Sequence, residues 1–165
     1  MLFQSQIEGL VAAKVRFVVI GGVAANLHGS VRATFDLDIC YDPAPANRER
    51  LATVLNDLGA YLRGVEPGLP FVLDAKALET SHVLTLSTTL GDIDVMDSIA
   101  GVGEFPDVLA NSVAVEAGGV RFRALDLPAL LSAKRAAGRP KDLAQIPDIE
   151  ALIATRERAA RKRRS

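Results

Sequence analysis

The stretch that decides the fold is FVVIGGVAANLHGSVRATFDLDICYD, residues 17–42. It opens on an apolar, β-branched run that stops at Gly21-Gly22, which predicts a buried strand ending in a tight turn. A short helix over 23–28 follows, closed by Gly29. From Arg32 the period changes. Thr34, Asp36 and Asp38 alternate with Phe35, Leu37 and Ile39, so a second strand over about 34–41 carries the polar trio on one face and the apolar trio on the other. Two carboxylates on one strand face, ~5 Å apart, repel by about 1 kcal/mol in water and by several at protein-like dielectric. A divalent cation removes that cost, and hard carboxylate oxygens suit Mg²⁺, with phosphate oxygens completing its shell. A glycine pair ahead of a helix lets the backbone approach a phosphate, and the helix N-terminus adds its positive end. The stretch implies Mg²⁺-assisted chemistry on phosphates.

The 165 residues suffice for one domain with a proper core, and no apolar run approaches the ~20 residues that cross a bilayer. The N-terminus, MLFQSQIEGL, lacks the charged start and long apolar run of a signal peptide. With Cys40 as the one cysteine, a reducing cytoplasm without disulfides is expected. The net charge of −1 conceals an asymmetry. Residues 156–165 hold six of the 19 basic residues and one of the 20 acidic ones, so the remainder carries 13 basic against 19 acidic residues. That remainder offers no broad basic surface for duplex DNA.

Around the central stretch the elements follow from periodicity. Ile7, Leu10 and Val11 stripe a short helix over 4–13, and 15–20 reads as the buried first strand. Asn47 is the expected N-cap of a helix bearing Leu51, Val54, Leu55 and Leu58, with Gly59 after it. Residues 63–70 (RGVEPGLP) read as a loop. Strands over 83–87 and 92–96 form a hairpin, with Ile93 and Val95 on one face and Asp92, Asp94 and Met96 on the other. A short helix over 105–110 and a small hairpin, 113–115 with 120–122, come next. Asp126 caps a helix with Pro128 early in it, Leu127, Leu130 and Leu131 inward, and Gly138 at its end. A last helix runs from 148 to about 161 into the basic tail. Cys40 reads as a small buried hydrophobe, and His28 and His82 lack metal-ligand spacing.

A two-metal site places its ions ~3.5–4 Å apart and needs a carboxylate beyond Asp36 and Asp38. Asp94 is the candidate, with Asp92 on the same face in reserve. In that arrangement Asp36 and Asp38 anchor the Mg²⁺ of a nucleotide, while Asp94 helps hold a second ion and lowers the pKa of an attacking hydroxyl.

These residues bring the chain to a family it resembles: the nucleotidyltransferase superfamily of the DNA polymerase beta type. Its motif is a Gly-Gly or Gly-Ser pair, a strand bearing Asp-x-Asp, and a third carboxylate on a neighbouring strand. GGVAANLHGSVRATFDLDI is most similar to the small bacterial branch that includes antibiotic adenylyltransferases and abortive-infection type toxins. There the string Arg-x-Thr-x-Asp-x-Asp is a familiar form, matched by Arg32, Thr34, Asp36 and Asp38. AKRAAGRPKDLAQIPDIEAL, residues 133–152, is similar to the helix whose basic residues approach the triphosphate or the substrate.

The resemblance covers residues 17–152. It implies an α+β fold, a mixed sheet flanked by helices, in one domain over 1–155 with a basic tail over 156–165. It further implies catalysis and metal binding by Asp36, Asp38 and Asp94. Gly21, Gly22, Ser30, Arg32, Thr34, Lys134 and Lys141 would contact the nucleotide. The cofactors would be two Mg²⁺ ions with an NTP, ATP first, as substrate. Gly22 stands where many members carry a phosphate-binding serine, which leaves Ser30 or backbone N–H groups for that contact. Little chain follows the basic helix, so a protein partner or a homodimer is expected to complete the acceptor pocket.

Three readings follow. The leading one is transfer of a nucleoside monophosphate from NTP to a hydroxyl of a small molecule, a protein or RNA. The second keeps the fold without turnover, as a nucleotide- or partner-binding module such as half of a toxin–antitoxin type pair. RNA binding through the tail ranks last, because the tail has no aromatic residues for base stacking. No membrane association is expected.

Overall fold

The computed structural model describes residues 3–66 and 68–164. α1 (Gln4–Ala12) leads into β1 (Phe17–Ile20), α2 (Gly21–Leu27), β2 (Asp36–Tyr41) and α3 (Pro45–Asp57). Next come β3 (Tyr61–Leu62), α4 (Ala75–Thr80), β4 (Val83–Thr88) and β5 (Gly91–Met96). β6 (Ser98–Ile99) and β7 (Gly103–Glu104) make a two-stranded ribbon ahead of α5 (Phe105–Ala110). β8 (Ser112–Ala117), β9 (Val120–Leu125), α6 (Leu127–Ala137), α7 (Pro140–Leu143) and α8 (Ile146–Lys162) complete the chain.

The seven-stranded sheet has the order β3-β4-β5-β2-β1-β9-β8. Hairpin neighbours pair antiparallel, whereas β2–β5 and β1–β9 pair parallel. β1–β2 and β3–β4 also pair antiparallel, across connections that contain α2 and α4, and the parallel pairs need long crossovers, so the sheet is mixed. β1 is buried along its whole length, as its unbroken Phe-Val-Val-Ile run requires for a strand covered on both faces.

Along β2, β4 and β5 the large apolar side chains gather on one sheet face. Leu37, Ile39, Leu84, Leu86, Ile93 and Val95 are all buried on one face. Tyr41, on that same face, donates its hydroxyl to the Leu78 carbonyl of α4 at 2.9 Å. α1 and α3 cover this side with Ile7, Leu10, Leu51 and Leu55, each fully buried. Every such side chain contributes about 1.5–3 kcal/mol of transfer free energy, which makes this layer the core. The opposite face holds the aspartates of β2 and β5, with α6 lying over part of it. α6 starts where Asp126 accepts a hydrogen bond from Ala129 N at 2.9 Å, and stops at Gly138, whose φ of 64° ends the helix.

Several expectations need correction. β2 begins at Asp36, so Thr34 and Phe35 precede the strand, and Phe35 is 84% exposed instead of facing the core. The apolar–polar alternation ran two residues past the backbone pairing that would have enforced it. Asn47 lies inside α3 and does not cap it. Its amide receives Arg16 N at 2.7 Å and donates to the carbonyls of Arg16 and Asp42, tying the helix to the ends of β1 and β2. The last helix starts at Ile146 instead of 148 and, as expected, runs into the basic stretch, ending at Lys162. Cys40 and His28 are buried, the latter with Nε2 2.7 Å from the Leu125 carbonyl, while His82 sits at the surface beside Asp97. No helix among the described residues is long and apolar enough to cross a membrane.

Candidate active site

The parallel register of β2 and β5 sets Asp38 directly beside Asp94, and Asp36 beside Asp92. Alternation then points all four carboxylates to the face away from the core. One oxygen from each of Asp36, Asp38 and Asp94 falls within 4.8 Å of the others. Asp92 is drawn aside: its carboxylate accepts from Ser87 Oγ at 2.8 Å and pairs with Arg63. Asp94, not the reserve Asp92, therefore completes the cluster.

Burial and mutual repulsion oppose the charges of this cluster. Burial, followed by the charges of Asp36 and Asp94, pushes the Asp38 carboxyl up to about 7, and Lys134 and Lys141 only partly offset the rise. Asp94 is also raised, chiefly by burial, with Arg63 opposing and Asp36 reinforcing the effect. In the sequence, Arg63 belongs to the expected 63–70 loop. It sits immediately after edge strand β3, and its guanidinium reaches Asp94 at 2.6 Å, Asp92 at 3.0 Å and Asp36 at 3.9 Å. The signal that could have found it is an arginine directly following a strand that pairs with the carboxylate hairpin.

Gly21 and Gly22 are required by close approach. Gly21 has φ +62°, and a Cβ there would lie 2.0 Å from an Asp38 carboxylate oxygen. A Cβ on Gly22 would lie 2.5 Å from Thr34 Oγ1. The Thr34 hydroxyl thus occupies the space into which a serine at position 22 would project, which accounts for the departure from Gly-Ser. Arg32 does not face the carboxylates freely. It pairs with Asp148 and donates to the Ala144 carbonyl at 2.9 Å, pinning the 30–35 loop to α7 and α8. Ser30 Oγ accepts from Arg32 N at 3.4 Å.

The far end of α6 contributes the cations. Lys134 donates to Asp142 at 2.8 Å, and Arg139 holds the other Asp142 oxygen. Burial opposes the charge on Asp142, yet the bonds from Arg139 and Lys134 outweigh it and hold its pKa below the usual carboxylate range. Lys141 stays exposed. A polar cavity of about 320 Å³ unites Gly22, Ser30, Arg32, Thr34, Lys134 and Lys141 with Asp36, Asp38 and Asp94. Arg139 and Gln145 line it too, and sequence reading had not assigned Gln145 to the site.

The residues fit a hard divalent cation. The donors are three carboxylates, their oxygens converge, and the absent Cβ at Gly21 leaves room for the Asp38 carboxylate. The raised Asp38 measures what such a cation would relieve.

No family model and no curated protein sequence matches the chain. Solved structures do resemble it. The lincosamide antibiotic adenylyltransferase LnuA, bound to lincomycin, aligns over 90% of this chain and 97% of its own at 15% identity, with a TM-score of 0.60. ANT(2″)-Ia in complex with adenylyl-2″-tobramycin aligns over 99% and 97% at 16% identity, with a TM-score of 0.56. A Thermotoga maritima protein assigned to the nucleotidyltransferases aligns over 94% and 91% at 18% identity, with a TM-score of 0.52. At these identities the similarity is one of backbone architecture. The fold of this chain is the nucleotidyltransferase fold.

Proposed function

We propose that this protein transfers a nucleoside monophosphate, AMP first among them, from a Mg²⁺-bound NTP to an acceptor hydroxyl. The observation that carries the reading is the convergence of Asp36, Asp38 and Asp94 on one sheet face, fixed by the β2–β5 register. When bound there, Mg²⁺ supplies Lewis-acid stabilisation of charge developing on the α-phosphate and the leaving pyrophosphate. The chain's own groups do the rest. Backbone at Gly22 admits the phosphates in the polar cavity, while Gly21 lines the cavity on the other side of the carboxylates. Thr34 offers its hydroxyl where a serine would otherwise stand, with Ser30 and Lys141 along the same cavity wall. Asp94 would help hold the cation that lowers the pKa of the acceptor's hydroxyl, whose proton passes to solvent. The acceptor oxygen forms a bond to the α-phosphorus, the α–β bridging bond breaks, and pyrophosphate leaves.

The non-catalytic reading has one observation in its favour: Arg63 already neutralises part of the carboxylate cluster. A thermal melt with each NTP, with and without Mg²⁺, on wild type and on Asp36→Asn/Asp38→Asn tests the nucleotide site, and pyrophosphate release with an acceptor separates turnover from binding alone. Saturation near 100 times the dissociation constant adds ~2.7 kcal/mol, a rise of roughly 5–10 °C for a chain of this size. The expected result is a Mg²⁺-dependent rise that the double variant loses, with pyrophosphate released once an acceptor is supplied. No rise with any NTP would sink the transferase.

A further inference from the structure

Asp38 and Asp94 stand at the junction of two cavities, and only one of them suits a triphosphate. The polar cavity has hydroxyl, amide and cationic walls. The second, about 360 Å³, opens on the other side of the same two carboxylates, between the sheet and α6. Its walls are largely aliphatic: Val83 and Met96 from the sheet, Ile99 from the ribbon, Leu130, Ala133 and Ala137 from α6. Thr85 and Ser98 supply hydroxyls.

From this pair of cavities we infer that the acceptor is a small, uncharged molecule with an apolar body and a hydroxyl, seated in the aliphatic cavity. The inference rests on the transferase reading above and narrows its acceptor. Charge accounting excludes a polyamine. The charged groups in the walls are Asp38, Asp94, Lys134, Arg139 and Asp142; Asp142 is already paired with Lys134 and Arg139, and Asp38 and Asp94 would hold the cation. No carboxylate is left over to meet an ammonium group, and an ammonium desolvated without a partner is strongly unfavourable. The two cations in these walls, Lys134 and Arg139, are both bound to Asp142, which leaves neither free to meet the backbone of an RNA acceptor. The volume matches the lower end of small-molecule sites. Val83 remains 52% exposed at the rim, apolar surface that such a ligand would cover.

The test uses the whole chain and ligand-observed NMR with four probes: 4-phenylbutan-1-ol, hexyl β-D-glucoside, tobramycin and an RNA tetramer with a free 3′-hydroxyl. The two neutral alcohols are expected to bind, and tobramycin and RNA are not. Two variants sharpen the result. Ala133→Phe fills the cavity from α6 and is expected to weaken the alcohols at least tenfold. Val83→Asp places a carboxylate at the rim of a surface strand, and is expected to weaken the alcohols and bring tobramycin in. Binding of tobramycin or RNA in preference to both alcohols overturns the inference, as does alcohol binding that neither variant changes. Absence of alcohol binding to a wild type that Mg²⁺·ATP stabilises also overturns it. A wild type that no Mg²⁺·NTP stabilises fails one step earlier, at the transferase reading itself.

Discussion

Asp142 and Asp38 are two aspartates withdrawn from water within one cavity wall, and their ionisation is pushed in opposite directions. Asp142 is fully buried but receives Lys134 and Arg139, so its charge is retained and its pKa falls. Asp38 has acids for its nearest charged companions, and its pKa climbs to about 7. Burial is common to both; the difference is whether the fold supplies a counter-charge. At Asp142 it does, and the result is a structural clamp joining α6 to α7. At Asp38 only Lys134 and Lys141 do so, and they offset the rise in part; a bound cation would relieve the remainder.

The sharpest way to break this contrast is to remove carboxylates from the Asp38 cluster. Asp36→Asn/Asp38→Asn is expected to reduce transfer by about 10³-fold or more, since metal-assisted charge stabilisation is worth several kcal/mol. Pyrophosphate release in the presence of an acceptor measures it. The contrast is next tested through pH. A carboxyl near 3.9 in the unfolded chain and about 7 in the folded one binds more protons when folded. Its contribution to stability is therefore full below pH ~4 and lost as pH rises through ~7. The charge penalty amounts to roughly 4 kcal/mol at most, and Asp38→Asn should relieve it. Melts from pH 5 to 8 without Mg²⁺ are expected to show the variant gaining on wild type throughout that interval. Below pH ~7 protons compete for the same site, so the Mg²⁺-dependent rise of wild type should shrink.

The same substitution at Asp142 should act with the opposite sign. Asp142→Asn leaves the Lys134 ammonium, 13% exposed, without its counter-charge. Breaking such a pair costs about 3 kcal/mol, read as a drop of roughly 6–12 °C in Tm at pH 7. If Asp38→Asn and Asp142→Asn shift Tm in the same direction at pH 8, the contrast is wrong.

Two smaller effects refine the site. Gly22→Ser should lower NTP affinity by about tenfold, because its side chain meets Thr34 Oγ1. Gly22→Ser/Thr34→Ala should recover most of that loss, and NTP titration of the two variants decides it. Smallest is Arg63→Ala, which removes the cation competing with Mg²⁺ and should tighten Mg²⁺ binding a few-fold, by about 0.5–1 kcal/mol, measurable by calorimetry.

Much of this molecule is legible residue by residue. The glycine pair, the period-2 run through Asp36 and Asp38, the hairpin bearing Asp94 and the capped helix after Asp126 are local patterns. Their structural consequences fall within a few residues, so periodicity and turn chemistry suffice. Phe35 shows where that logic overreaches, since side chains can alternate in a segment that no neighbouring strand pairs. Asn47 shows a second limit: a residue suited to capping was used instead to stitch three chain segments together.

By itself, the sequence determined the alternation of strands and helices, the sheet face that each aspartate takes, and the resemblance to the nucleotidyltransferases. Only the tertiary structure decided that Asp94 rather than Asp92 closes the cluster, because a strand register is a relation between segments more than fifty residues apart. It alone brought Arg63 to the carboxylates and Asp142 to Lys134, and set the Thr34 hydroxyl in the space a serine at 22 would use. Each is an encounter between separate elements, eight residues apart for Lys134 and Asp142 and 31 for Arg63 and Asp94. Its energy depends on distance and on water excluded by the rest of the fold, and neither is written in any local pattern of residues.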